Sequence, residues 1–170
     1  MEPRVPDLIQ WHEGLLLTPQ HFQQMAGLIC YYNSAKFHYL YISTDDTVGK
    51  HVRVMSALPD QPQSDAFSAP QPLPGGGPIE LRVEVDYDRL RFAYRRRGAG
   101  WTWIPQQFDA SILSDEATAP GLPNFTGAFV GMACQDMAGT RRPADFDWFE
   151  YVERPFAADP PDRPPSPRHR

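Results

Sequence analysis

Apolar and polar positions alternate most strictly in the middle of the chain. In IELRVEVD, Ile79, Leu81, Val83 and Val85 alternate with Glu80, Arg82, Glu84 and Asp86. A period of two predicts a strand with one apolar face turned inward. RLRFAYR continues the pattern with Leu90, Phe92 and Tyr94, and Asp86-Tyr87-Asp88 supplies the turn between the two. Upstream, MAGLICYYN is almost continuously apolar and aromatic, as a strand buried on both faces would be. KFHYLYIST sets Phe37, Tyr39 and Tyr41 on one face and His38, Leu40 and Ile42 on the other. Asn33-Ser34-Ala35 fits a hairpin loop, and a turn around residues 45–49 leads into HVRVMSAL.

WTWI, AFVGMACQ and DFDWFEYVE predict three more short strands. Seven or eight such strands, with turn signals between them, mean an all-β antiparallel sandwich or barrel. Tyr31, Tyr32, Phe37, Tyr39, Phe92 and Tyr94, at strand spacing, are read as core. Residues 59–78 carry six prolines and three consecutive glycines, which predicts a surface loop or linker. Residues 1–24 show no sustained period and form a separate N-terminal segment. Residues 25–154 are assigned to the sandwich, and the proline-rich stretch 155–170 to a disordered tail.

Composition narrows the functional classes. The 170 residues suffice for one domain. Nineteen prolines beside 10 Phe, 7 Tyr and 4 Trp argue against a helical bundle. A net charge of −5 speaks against a nucleic-acid partner or a polybasic membrane binder. Two cysteines build neither a disulfide framework nor a four-thiolate zinc site, and Cys30 and Cys134 are read as buried free thiols. No apolar run approaches the roughly 20 residues needed to span a bilayer. The start, MEPRVPDLIQ, lacks the basic and apolar regions of a secretory signal. The expectation is a soluble, cytoplasmic chain.

Few motifs carry chemistry. His12-Glu13 is not a zinc-protease motif, because Leu16 stands where the second histidine belongs. Gly75–Gly77 precedes neither a lysine nor a helix, so it is not a phosphate-cradling loop. Acidic residues cluster at Asp109, Asp115, Glu116, Asp136, Asp145 and Asp147. Such oxygen-rich groups either hold calcium (Asp109, Asp145 and Asp147 being the candidate ligands), supply a glycosidase carboxylate pair, or cap turns. Trp101, Trp103 and Trp148 are either core or a sugar-stacking platform. No other cofactor is indicated.

Six segments, in order, resemble the C-terminal concanavalin A-like domain of glycoside hydrolase family 43 β-xylosidases. They are QQMAGLICYYN, FHYLYIST, IELRVEVDYDRLRFAYRR, FDASILSDE, FTGAFVGMACQD and ADFDWFEY, spanning about residues 23–153. The resemblance implies a jelly-roll type sandwich that packs on a catalytic five-bladed β-propeller and sends one loop toward its active site. That loop maps to FTGAF, with Phe125 the leading substrate-side residue and Phe129 the second; core packing is the competing reading for both. Phe149, by contrast, is expected in the core. On this reading the chain is a non-catalytic accessory domain of a β-xylosidase or arabinofuranosidase, whose partner is the propeller or a xylo-oligosaccharide. The propeller and its catalytic carboxylates are not seen, and the first strands of the sandwich are expected to be missing. That would leave an open sheet edge for self-association.

Residues 5–24 resemble something else, the N-terminus of the type VI secretion baseplate protein TssK family, with its WxEGxxLxPQHFQQ pattern. Trp11, Glu13, Gly14, Leu17, Pro19, Gln20, His21, Phe22, Gln23 and Gln24 fit it. This resemblance implies a structural baseplate component. The overlap of the two resemblances at Gln23-Gln24 also fits a chimeric fragment without present function.

Overall fold

A computed structural model describes residues 8–61, 65–117 and 127–154, with the side chains of 8–12 and 153–154 left aside. The strands are β1 (Leu8–Leu16), β2 (Gln24–Asn33), β3 (Lys36–Asp45), β4 (Gly49–Ala57), β5 (Ala66–Phe67) and β6 (Gln71–Pro72). They continue as β7 (Ile79–Asp86), β8 (Arg89–Arg96), β9 (Thr102–Trp103), β10 (Phe108–Asp109), β11 (Phe129–Asp136) and β12 (Asp145–Arg154). A single 3₁₀ turn, Ala110–Leu113, is the only helical element among the described residues. Sheet A runs β10-β8-β7-β1-β12, with β9 also on β8; sheet B runs β11-β2-β3-β4-β5, with β6 also on β4. All pairings are antiparallel, giving the two-layer sandwich the strand pattern predicts.

Strand alternation places the core. Leu28, Leu40, Ile42, Val52 and Val54 of sheet B meet Leu15, Ile79, Leu81, Val83, Leu90 and Phe92 of sheet A, all fully buried. Each such side chain contributes about 1.5–3 kcal/mol by leaving water. His38, on the same inward face, is held by Ser56 Oγ at 2.7 Å and the Asp109 carbonyl at 2.9 Å. The carbonyl can only accept, so Nε2 carries the proton and Nδ1 accepts from the serine. Burial lowers the pKa of this imidazole, which keeps it neutral.

Three expectations are corrected here and a fourth is narrowed. The described part of the segment assigned to 1–24 does not stand apart: β1 lies inside sheet A, paired with β7 on one side and β12 on the other. Its inward residues extend the core of the sheet, which is why it inserts there. Of the two readings of 59–78, surface loop or linker, the described residues fit a loop laid on sheet B and not a linker, because β5 and β6 lie along β4 and Leu73 enters the core. Ser68 secures it through bonds with the backbone of Val54. Cys134 is exposed, unlike Cys30, because β11 is an edge strand. For the same reason Phe149, on the edge strand β12, is 38% exposed rather than buried. The residues 118–126 and 155–170 lie outside the described residues, and with them Phe125 and the tail.

Two buried positions generate tests. A Cβ on Gly27 would run into the Leu40 carbonyl on β3, whereas one on Gly131 would meet nothing. Gly27→Ala should therefore cost about 2–3 kcal/mol in urea unfolding, and Gly131→Ala less than about 0.5 kcal/mol.

Glu13 is fully buried on the inward side of β1, with neither carboxylate oxygen hydrogen-bonded among the described residues. Burial pushes its pKa from 4.5 up to about 8. Between those two values the folded chain keeps a proton that the unfolded chain has lost. Stability should therefore fall as pH rises through that window, by roughly 5 kcal/mol at most, and level off above it. Urea unfolding at pH 5 and pH 8 should show this fall, and Glu13→Gln should remove most of it.

Candidate functional site

One end of the sandwich, at the β2–β3 turn, gathers an exposed aromatic row. Phe129 opens β11 opposite Tyr31, and Tyr31 lies opposite Phe37. The rings of Tyr31 and Phe37 stack with centroids 6.3 Å apart. Phe129 is 59% exposed, so core packing does not account for it. Tyr31, placed in the core by its strand spacing, is also exposed because it faces the outer side of sheet B.

The same end anchors the chain that leads into residues 118–126. Lys36 is fully buried. Its Nζ donates to the carbonyls of Ser114 (2.7 Å) and Ala117 (2.5 Å), and it sits 3.6 Å from the centre of the Tyr32 ring. Tyr32 in turn donates its hydroxyl to Asp115. A buried ammonium needs such partners, so the segment's start is held where the β2–β3 turn lies. Sequence reading missed Lys36, because a lone lysine beside a hairpin turn gives no sign of being buried.

The tryptophans sit elsewhere, on the outer face of sheet A. Glu80, Arg82 and Glu84 point outward from β7, yet all three are buried. Arg82 and Arg91 bind Glu84, and Arg95 binds Glu80. Trp101 covers the Arg95 guanidinium at 4.3 Å and Trp103 covers that of Arg91 at 4.4 Å. Arg82 lies between them, 5.4 and 5.5 Å from the two rings. Trp148 lies across the same sheet on β12, against Gly14, where a Cβ would strike its indole. The structure thus brings Trp101 and Trp103 together over the arginines and leaves Trp148 at the far edge.

The candidate calcium ligands are not brought together. Asp109 is on β10 and Asp145 and Asp147 are on β12, the opposite edges of sheet A. Four strand spacings of about 4.8 Å separate them. Asp109 caps the 3₁₀ turn by accepting from Ser111, and Asp147 pairs with Arg97. Asp145 opens β12 opposite Leu16. No group of three or more potential metal ligands occurs among the described residues. Asp136 accepts from the backbone of Ala138 and Arg142, which holds its carboxyl below the usual range. Turn capping accounts for Asp109 and Asp136, whereas Asp147 is engaged in an ion pair and Asp115 accepts from Tyr32.

Comparison with known proteins gives the framework for these surfaces. The β-xylosidase C-terminal concanavalin A-like domain family matches residues 9–152. The match starts within β1, so the baseplate-like reading of residues 5–24 finds no support, and the sandwich resemblance extends upstream of residue 23. A β-xylosidase of Bacillus subtilis (strain 168) is 35% identical over 143 residues, covering 80% of this chain and 25% of that protein. A xylosidase/arabinosidase of Humicola insolens is 33% identical over 138 residues, covering 79% and 26%. The crystal structure of a xylan β-1,4-xylosidase from Bacillus halodurans C-125 superposes with a TM-score of 0.78. It is 30% identical, with 86% of this chain and 28% of that one covered. This chain spans about a quarter of the length of the curated relatives it matches. The match runs through nearly every strand of both sheets, and on it this chain belongs to the family of β-xylosidase C-terminal concanavalin A-like domains.

Proposed function

We propose that the chain acts as the accessory sandwich of a family 43 glycoside hydrolase that removes xylose or arabinose units. It docks on a β-propeller that carries the catalytic carboxylates, and its FTGAF loop, residues 125–129, is the substrate-side loop of this reading. The observation that carries this reading is the family match over residues 9–152, together with the exposed aromatic end at Phe129. Lys36 gives that end a fixed base, because its ammonium ties Ser114 and Ala117 to the β2–β3 turn. Phe125 is the leading substrate-side residue of this proposal and Phe129 the second. The free thiols Cys30 and Cys134 agree with a cytoplasmic, reducing setting.

The division of labour follows from chemistry. Glycoside hydrolysis needs a pair of carboxyl groups flanking the scissile bond. On this reading the propeller supplies that pair. The sandwich contributes apolar area that excludes water and a surface against which a sugar ring rests.

The test supplies the sandwich in trans. Alone, the chain should turn over aryl xyloside and aryl arabinofuranoside only at background. Added to a family 43 propeller domain stripped of its own sandwich, it should bind and raise kcat/KM. Phe129→Ala should keep urea stability within about 0.5 kcal/mol, as an exposed substitution does, while cutting that gain several-fold. No binding to the propeller, or turnover by the chain alone, would overturn the reading.

A further inference from the structure

The outer face of sheet B carries a cleft of about 480 Å³, inside the range of small-ligand sites. Its floor comes from neighbouring strands in register: Ser43 lies opposite His51, and Tyr41 opposite Arg53. Its two walls are phenyl rings from different parts of the chain. Phe22, between β1 and β2, is 59% exposed, and Phe67, on β5, is 50% exposed. Ser43 Oγ donates to the Phe22 carbonyl at 3.0 Å, which ties one wall to the floor. The Arg53 guanidinium lies 4.7 Å from the Phe67 ring centre and donates to the Ser68 carbonyl, which ties the other.

The polar groups between the walls are incompletely used. Arg53 Nε is buried without a hydrogen-bond partner among the described residues. His51 Nδ1 is 2.9 Å from the Gly49 carbonyl, to which it donates, and Nε2 of the neutral ring form is an acceptor. Asp45 Oδ1 accepts from the backbone of Thr47 and Val48, and its second oxygen stands 3.7 Å from His51. A donor and two acceptors therefore lie between two exposed aromatic faces. Asp45 and Asp65 offset Arg53, so the cleft does not select an anion.

Neutral sugars meet these terms. Their C–H faces pack on aromatic rings, and each hydroxyl both donates and accepts. We propose that this cleft binds a neutral oligosaccharide between Phe22 and Phe67, with Arg53, His51 and Asp45 reading its hydroxyls. The site lies on sheet B and is separate from the tryptophans of sheet A. It does not rest on docking to a propeller.

The test is titration of the full chain with xylotriose, followed by backbone amide shifts. Saturable shifts are expected at Ser43, His51 and Arg53, with a dissociation constant of about 1 mM, or −4 kcal/mol. Phe22→Ala and Phe67→Ala, both exposed positions, should each weaken binding at least tenfold with melting temperature unchanged. Trp103→Ala should leave it unchanged. Absence of saturable shifts up to about ten times that concentration overturns the site. So do shifts confined to Trp101 and Trp103, or cleft shifts that follow protein concentration instead of sugar, which would mark a surface between copies. Binding that survives when the propeller assay fails leaves this inference standing and removes the docking proposal.

Discussion

Antiparallel pairing of β1 between β7 and β12 is the constraint on which sheet A depends. Without it the β7–β8 hairpin and β12 would be unconnected, since neither pairs with the other. The strand must therefore turn Leu15 inward against Ile79, and the same alternation forces Glu13 inward as well. The sheet accepts a buried carboxyl without a hydrogen bond among the described residues, because a one-residue slip would turn every core side chain of β1 outward. Protonation reduces the cost of that burial. The price of the register is a charge state tied to pH.

The two outer faces solve the problem of polar strand positions differently. On sheet A the outward arginines and glutamates neutralise one another, and Trp101 and Trp103 lie over them. Breaking a buried pair by removing one partner typically costs about 3–5 kcal/mol, so this face reads first as structure. On sheet B the outward row changes character along its length. It is aromatic near the β2–β3 turn, at Phe129, Tyr31 and Phe37, and mixed polar and aromatic at the other end, around Ser43, His51 and Arg53. On sheet B, Phe22 and Phe67 stand exposed beside the buried Arg53 Nε, which has no hydrogen-bond partner among the described residues.

The chain belongs to the β-xylosidase C-terminal domain family, and its sandwich has an aromatic end whose neighbouring chain is pinned at Ser114 and Ala117. Lys36 is central to that end. Two carbonyls and the Tyr32 ring replace water around its ammonium, and those carbonyls belong to the chain entering residues 118–126. A hairpin turn and a distant segment are joined by one side chain.

The sequence alone determined the all-β class, the β7–β8 and β2–β3 hairpins and the family resemblance, because alternation and turn residues are local and the resembling segments are long. It did not determine where β1 belongs. Glu13 and Leu15 share a face, but a charged residue there hides an inward strand, and the partners of β1 lie some 70 and 140 residues away. Nor did alternation reveal which polar faces are dry. Period two states that Glu80, Arg82 and Glu84 share a side, but only folding brings Trp101 and Trp103 over them. The proposed calcium ligands fail for the same reason, since acids close in sequence to different strands end at opposite edges of one sheet. Local pattern assigns side chains to faces; what stands over each face is decided by pairing between distant strands, and that is where the candidate sites lie.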